Sequence, residues 1–239
     1  MTETGKLTEL TDPDCLSPAE EDALLASAPW SRFAVLGDSV AEGLFEPMPG
    51  YAERPWGERL AVALRRRRPE LVYENFGRRD LRAEEVRRQQ LPAALDFEPD
   101  LSAIVCGGND LLVERFDGQA IERELDRLIG PLRERGDVIS FTMYDITKAL
   151  EMPASFGSEL EQRLSELNER TRAVAERHDT IHVDLASEPI CADPGIYASD
   201  FKHGSARGQA ICASLTIRRL GEHLRQLQQP AQTDSRPAA

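Results

Sequence analysis

Four short polar turns hold residue types from which nucleophilic chemistry could be assembled: Gly37-Asp38-Ser39, Asn75-Phe76-Gly77, Gly107-Gly108-Asn109-Asp110 and Asp200-Phe201-Lys202-His203. In the last of these, Asp200 and His203 stand three apart, a spacing at which side chains in a turn or helical start can face each other. Asp200 could then accept a hydrogen bond from one ring nitrogen of His203, leaving the other nitrogen free to take a proton from a hydroxyl. Ser39 offers that hydroxyl. It directly follows the apolar run Phe33-Ala34-Val35-Leu36, which reads as a buried strand ending at a turn. A serine there sits where open α/β sheets place their ligands, and Gly37 gives the backbone room for a tight turn. Taken alone, Gly-Asp-Ser is an ordinary strand-to-loop junction. The other three turns give it meaning.

The elements that must position these turns follow from periodicity and punctuation. Strands are expected at Arg32 to Leu36, Leu71 to Asn75, Leu101 to Cys106, Val138 to Met143 and Thr180 to Asp184. Helices are expected from Pro55 to about Arg66, Leu81 to Ala94, Gln119 to Arg135, Ser158 to His178 and Ser205 to Gln226. Ile121, Leu125, Leu128 and Leu132 give the third of these a clear apolar face, and Gly136 stands where a terminating glycine is common. Pro153 and Gly157 mark a loop. Ser17-Pro18-Ala19-Glu20 has capping-box spacing and opens a further short helix. Five strands alternating with helices predict one α/β/α domain of three layers around a parallel sheet. The expected division is an N-terminal extension over 1–30, the domain over 31–227, and a disordered tail over 228–239, rich in Gln, Pro and Ala.

Composition narrows the function classes. At 239 residues the chain suits one sizeable domain. Its net charge of −13 argues against a nucleic-acid or anionic-membrane surface. No apolar stretch approaches a membrane span, and residues 1–21 carry neither the basic region nor the apolar core of a secretory signal, so a cytoplasmic location is expected. Cys15, Cys106, Cys191 and Cys212 are scattered without a Cys-x-x-Cys pair, the pattern of reduced thiols and no zinc site. No metal or other cofactor is expected.

Taken together, the four turns resemble the blocks of the SGNH hydrolases, the GDSL esterase/lipase superfamily. The matching residues are Ser39 in GDSV, Gly77 in NFG, Asn109 in GGND and His203 in DFKH, over about residues 32 to 220. The resemblance implies a flavodoxin-like five-stranded parallel sheet and a serine esterase acting on a small carboxylic ester through an acyl-enzyme. It makes Ser39, His203 and Asp200 the catalytic triad, and the Ser39 and Gly77 amides with the Asn109 side chain the oxyanion hole. The sequence departs from the pattern in three places. Val40 replaces leucine, Gly204 stands where proline commonly follows the histidine, and Arg78-Arg79-Asp80 replaces a stretch that often carries a further glycine.

Competing readings remain open at this level. A catalytically inactive ligand-binding module of the same fold is the alternative function. A classical α/β-hydrolase is disfavoured because Ser39-Val40-Ala41 lacks the second glycine of the GxSxG elbow. A flavodoxin-like nucleotide binder lacks any glycine-rich phosphate motif. Arg78 and Arg79 could meet an anionic substrate group or pair with Asp80, Glu84 or Glu85. Arg65 to Arg68 read as a solvated helix end. Asp38 is expected to tether its loop, Asp110 to cap the segment after it, and Cys106 to pack as a small hydrophobe. His178 ends a helix, His182 lies in a strand and His223 faces solvent on the last helix. Phe45, Met48, Tyr51 and Trp56 could form an apolar wall beside the serine or simply pack, and the stretch 187–199 could shape or cover the site.

Overall fold

Alternation along the first strand decides how the layers form. Phe33 and Val35 point to one face and Ala34 and Leu36 to the other, and all four are fully buried, as expected for a strand covered by helices on both sides. A computed structural model describes residues 7–149 and 154–229. From the amino end, α1 (Pro18–Leu24) precedes β1 (Arg32–Gly37), the four-residue helix α2 (Ser39–Glu42), β2 (Phe45–Glu46) and α3 (Trp56–Arg67). Next come β3 (Val72–Asn75), α4 (Ala83–Asp96), β4 (Leu101–Val105), α5 (Gly118–Arg133) and β5 (Asp137–Phe141). The remaining described elements are α6 (Ala154–Arg177), β6 (Ile181–Val183), β7 (Gly204–Ser205) and α7 (Ala206–Gln228), with short 3-10 turns between them.

The main sheet has the order β3-β1-β4-β5-β6, and every pairing in it is parallel. That is the doubly wound, flavodoxin-like order, with its switch point between β1 and β4. Leu60, Leu64, Ile217, Leu220 and Leu224 of α3 and α7 cover the face of Phe33 and Val35. Val86, Leu125, Leu128, Leu167 and Val174 of α4, α5 and α6 cover the face of Ala34 and Leu36. The expected α/β/α domain is thus the observed one. A second, two-stranded parallel sheet pairs β2 with β7. Strands of two residues each leave no periodic signal, and the sequence reading missed them along with α2.

Several boundaries differ for identifiable reasons. Helix α6 begins at Ala154, so Gly157 lies inside it, while Pro153 falls outside the described residues. Helix α5 ends at Arg133, and Gly136 is not in the left-handed region. A Cβ on Gly136 would stand 2.3 Å from the Asp100 carbonyl oxygen, so close packing against Asp100, and not a helix cap, requires the glycine. Helix α7 continues to Gln228; residues 230–239 of the expected tail, like residues 1–6, lie outside the described residues.

The arginine run that closes α3 is tied down: Arg66 pairs with Glu21 and Asp22, and Arg65 and Arg68 donate to the Leu71 and Ala28 carbonyls. These contacts fasten α1, and Leu16, Leu25, Ala28 and Trp30 enter the same core as β1, so residues 7–30 pack as part of the domain. Among the described residues no helix is long and apolar enough to cross a membrane, and all four cysteines are free thiols.

One buried ion pair anchors the chain start to the last helix. The Arg207 side chain is 8% exposed and its Nε donates to Asp12 Oδ2 at 2.7 Å; the Asp12 side chain is wholly buried. Tyr51 donates to the same oxygen at 2.7 Å, and Arg207 also reaches Asp193 at 2.6 Å. Removing one partner leaves an uncompensated buried charge, which typically costs about 3–5 kcal/mol. Arg207→Met should therefore lower folding stability by roughly that amount in urea unfolding. A loss below about 1 kcal/mol would show that water or another group replaces the guanidinium.

Candidate active site

The serine turn is built from the end of β1. Gly37 has φ +143°, and a Cβ there would stand 1.8 Å from the Val105 carbonyl oxygen, so only glycine fits. The chain then enters α2 at once. Asp38 is its N-cap, Oδ1 accepting the Val40 N–H at 3.0 Å, and the Asp38 N–H donates to the Val105 carbonyl at 3.1 Å. The expected tether is therefore present. The Trp56 indole donates to the Val40 carbonyl at 2.9 Å, and Asn75 Nδ2 donates to the Ala41 carbonyl at 2.8 Å. Ser39 thus opens a short helix held at several points, and its own N–H has no hydrogen-bond partner among the described residues.

The histidine reaches Ser39 from the other end of the chain. His203 Nε2 lies 2.8 Å from Ser39 Oγ, and His203 Nδ1 lies 2.6 Å from Asp200 Oδ2. Asp200 Oδ1 also accepts the backbone N–H groups of Lys202 and His203 at 2.9 and 3.1 Å, so the carboxylate organises the turn that carries His203. Partial burial works against its charge, but these hydrogen bonds outweigh the effect and hold its pKa at about 2. The sheet of β2 and β7, with Phe45 opposite Gly204 and Glu46 opposite Ser205, ties the chain after Ser39 to the chain after His203. Glu46 also accepts the Ser199 N–H.

The expected oxyanion residues are placed less uniformly. Asn109 follows β4, and one of its amide N–H groups donates to the Leu81 carbonyl at 2.9 Å, leaving a second N–H to offer. The Gly77 N–H donates to Asn75 Oδ1 at 2.8 Å, so that donor is engaged. What demands glycine at 77 is packing, since a Cβ would stand 2.3 Å from the Glu42 nitrogen. Three residues on, Asp80 has φ +66° and a backbone N–H without a partner among the described residues. It occupies the stretch where a further glycine is often found, and it adjoins the Leu81 carbonyl that Asn109 grips.

The two arginines separate. Arg79 forks onto Glu42 of α2, Nη2 to Oε1 at 2.8 Å, a partner the sequence reading did not consider. Arg78 is exposed, its backbone N–H donates to the Gly37 carbonyl at 3.1 Å, and its guanidinium has no hydrogen bond or ion pair among the described residues. Asp110 caps α4 through the Ala83 N–H at 3.0 Å, and not the segment that follows it. Tyr51 and Trp56 are buried with their polar atoms bonded elsewhere, so they are packing residues.

A model of the GDSL-like lipase/acylhydrolase family matches residues 35–211. The chain belongs to that family. It is a hydrolase of the SGNH type, as the four turns led us to expect. No curated protein matches it. An alpha/beta hydrolase from the metagenome of Lake Arreo superposes with a TM-score of 0.64 at 20% identity, over 80% of this chain and 95% of that one. A lipase/acylhydrolase from Enterococcus faecalis gives 0.63 at 20%, covering 80% and 96%. A psychrotrophic esterase from Pseudoalteromonas gives 0.61 at 16%, covering 82% and 99%.

The other titratable groups have different places. His182 Nδ1 lies 2.9 Å from Ser140 Oγ, and burial depresses its pKa to about 4. His178 lies 2.9 Å from Asp126, and His223, expected in solvent, is 19% exposed and 3.7 Å from Asp137. Cys106 is buried as expected. No cluster of three His, Cys, Asp or Glu suited to a metal occurs among the described residues.

Asp38 is the unusual neighbour in this GDSL-like site. Burial, with Asp110 adding repulsion and the Val40 N–H and His203 opposing, raises its pKa from 3.8 to about 7. The fold penalises the charged form, so the penalty is absent in acid and grows as pH rises through the interval between those values. Asp38→Asn keeps a capping side chain and removes the titration. Relative to the wild type it should gain on the order of 3–4 kcal/mol between about pH 4 and pH 8 in urea unfolding. Parallel pH profiles of stability would refute this.

Proposed function

We propose that this hydrolase is a serine esterase of small carboxylic esters that works through an acyl-enzyme. The observation that carries the reading is the unbroken line of contacts from Ser39 Oγ to His203 Nε2 at 2.8 Å and from His203 Nδ1 to Asp200 at 2.6 Å. A serine hydroxyl becomes an effective nucleophile only as a base removes its proton. His203 takes that proton as Ser39 attacks the ester carbonyl, then gives it to the departing alkoxide. Asp200 holds Nδ1–H and stabilises the imidazolium without itself taking the proton. Water, deprotonated by the same histidine, then releases the acid and restores Ser39.

The oxyanion formed in each half needs donors that are otherwise unspent. The Ser39 N–H and the second Asn109 Nδ2 hydrogen meet that condition. For the third donor we substitute the free Asp80 amide for that of Gly77, whose N–H is held by Asn75. Gly77 then serves by letting its turn lie against α2. Among the arginines, Arg78 alone remains available to an anionic group on the substrate, because Arg79 is occupied by Glu42.

Hydrolysis of p-nitrophenyl esters, from acetate to longer acyl groups, should be abolished by Ser39→Ala. It should fall roughly 10²- to 10³-fold in kcat in Asn109→Ala, the usual value of one oxyanion donor. A folded wild type inert to every ester and to a fluorophosphonate would instead favour an inactive ligand-binding module. For Arg78→Ala, the rate on a carboxylate-bearing ester relative to a neutral one should drop about fivefold, the worth of one exposed ionic contact. Equal relative rates would remove Arg78 from the substrate site.

A further inference from the structure

Gly37 needs more than the lack of a side chain, because its backbone groups must find partners beyond the end of the neighbouring strand. The pairing of β1 with β3 stops at Val35 opposite Asn75, whereas β1 continues two residues further. On the β4 side Gly37 is opposite Val105. On the β3 side the chain past the strand still sends the Arg78 N–H to the Gly37 carbonyl at 3.1 Å, but it offers no acceptor to the Gly37 N–H, and a buried backbone N–H left without a partner is costly.

Gln90 fills that place. It lies on α4, one turn from Val86 and one turn from Ala94, on the helix face that packs against the sheet. The residue is 5% exposed, an unusual position for a glutamine. Gln90 Oε1 accepts the Gly37 N–H at 2.8 Å, and Gln90 Nε2 donates to the Gly37 carbonyl at 2.8 Å. A primary amide presents the same donor and acceptor pair as a peptide group. It therefore acts as one rung of the missing strand, delivered from a helix.

Building on the serine-esterase reading, we propose that Gln90 is a positioning residue for the nucleophile: by fixing both polar groups of Gly37 it sets the direction of the Asp38–Ser39 peptide, and with it the Ser39 N–H and Oγ. The two bonds act on the residue where the strand turns into α2, two positions before Ser39, and Gln90 touches neither substrate nor any triad atom. Loss of the amide leaves the Gly37 carbonyl on the Arg78 N–H alone and the Gly37 N–H with no partner among the described residues. The turn then gains freedom where misplacement of about 1 Å is enough to cost roughly 10²-fold in rate.

The test uses Gln90→Leu and Gln90→Met, which keep the volume and remove the amide; methionine adapts where branched leucine could clash. Each protein is titrated with a fluorophosphonate to count reactive serines, and kcat and KM on p-nitrophenyl acetate are expressed per titrated serine. Exchange of the Gly37 amide hydrogen is followed in the same samples. We expect kcat per serine to fall roughly 10- to 100-fold with KM nearly unchanged, and Gly37 to lose protection.

A purely structural role would lower the number of reactive serines and leave kcat per serine within twofold of wild type, which overturns the proposal. Failure of both variants to fold also overturns it, since the amide would then be a requirement of folding and not a device for aim. Should leucine alone fail, methionine decides. A wild type that neither titrates nor turns over defeats the esterase reading itself, an outcome distinct from unequal behaviour of the variants.

Discussion

The tight passage from strand to helix at Gly37 is the constraint on which the other features depend. Its backbone leaves the β region directly beneath the Val105 carbonyl, a geometry closed to any residue with a Cβ. A chain turned so sharply presents polar groups that regular structure no longer satisfies. The molecule answers from four directions: β4 accepts the Asp38 N–H, α4 sends Gln90, Asp38 caps α2 and Asn75 holds the Ala41 carbonyl. Each contact is ordinary alone, worth about 1 kcal/mol. Together they leave Ser39 little freedom, and in the proposed mechanism that rigidity lets its hydroxyl and backbone N–H be aimed at one point in space.

In the proposed mechanism a fixed serine is of use only if its base arrives at the same place, and His203 lies 164 residues away in sequence. Closing so long a loop carries an entropic cost that grows slowly with its length, and the intervening β4, β5 and β6 pack side by side in the one sheet. The final alignment is local. Parallel pairing of β2 with β7 locks the segments after Ser39 and His203 into one register, while Glu46 takes the Ser199 N–H. Asp200 then spends both carboxylate oxygens on its own turn and on the imidazole. Because that carboxylate titrates near pH 2 while buried Asp38 titrates near 7, two aspartates of one site carry different charges across mildly acidic pH.

Much of this was legible in the sequence, for definite reasons. The apolar runs of β1, β4 and β5 predict the parallel sheet because central strands are covered on both faces, while the edge strands β3 and β6, which carry Glu74, Asn75 and His182, are legible mainly from the turn residues around them. The turns after β1, β3 and β4 lie together because a parallel sheet gathers those ends on one edge, and the fourth, Asp200 to His203, comes to Ser39 from the segment before α7. What stayed hidden depends on contacts between distant residues of unremarkable type. Gln90 sits beside another glutamine in a polar helix, and only the fold distinguishes the buried one. Glu42 as the partner of Arg79 skips 37 positions, beyond any local spacing rule. Gly77 was legible as a special glycine but not for its reason, which is the closeness of α2 and not the direction of its N–H.

Asp80 brings these points together. A left-handed conformation is cheap for glycine and somewhat costly for most other residues, with aspartate and asparagine among the more tolerant. The turn nevertheless holds Asp80 at φ +66°, so the surrounding contacts must determine its shape. They are identifiable: Arg79 forked onto Glu42 before it, the Leu81 carbonyl gripped by Asn109 after it, and Ala83 held by Asp110. In the proposed mechanism this bracing has a purpose. An amide that must meet a transient oxyanion stabilises it most when it does not reorganise. The glycine of the usual pattern permits that orientation; here the neighbours of Asp80 enforce it. The same bracing explains why Arg79 is spent on Glu42 while Arg78, one residue earlier, is left facing solvent beside the Ser39 turn.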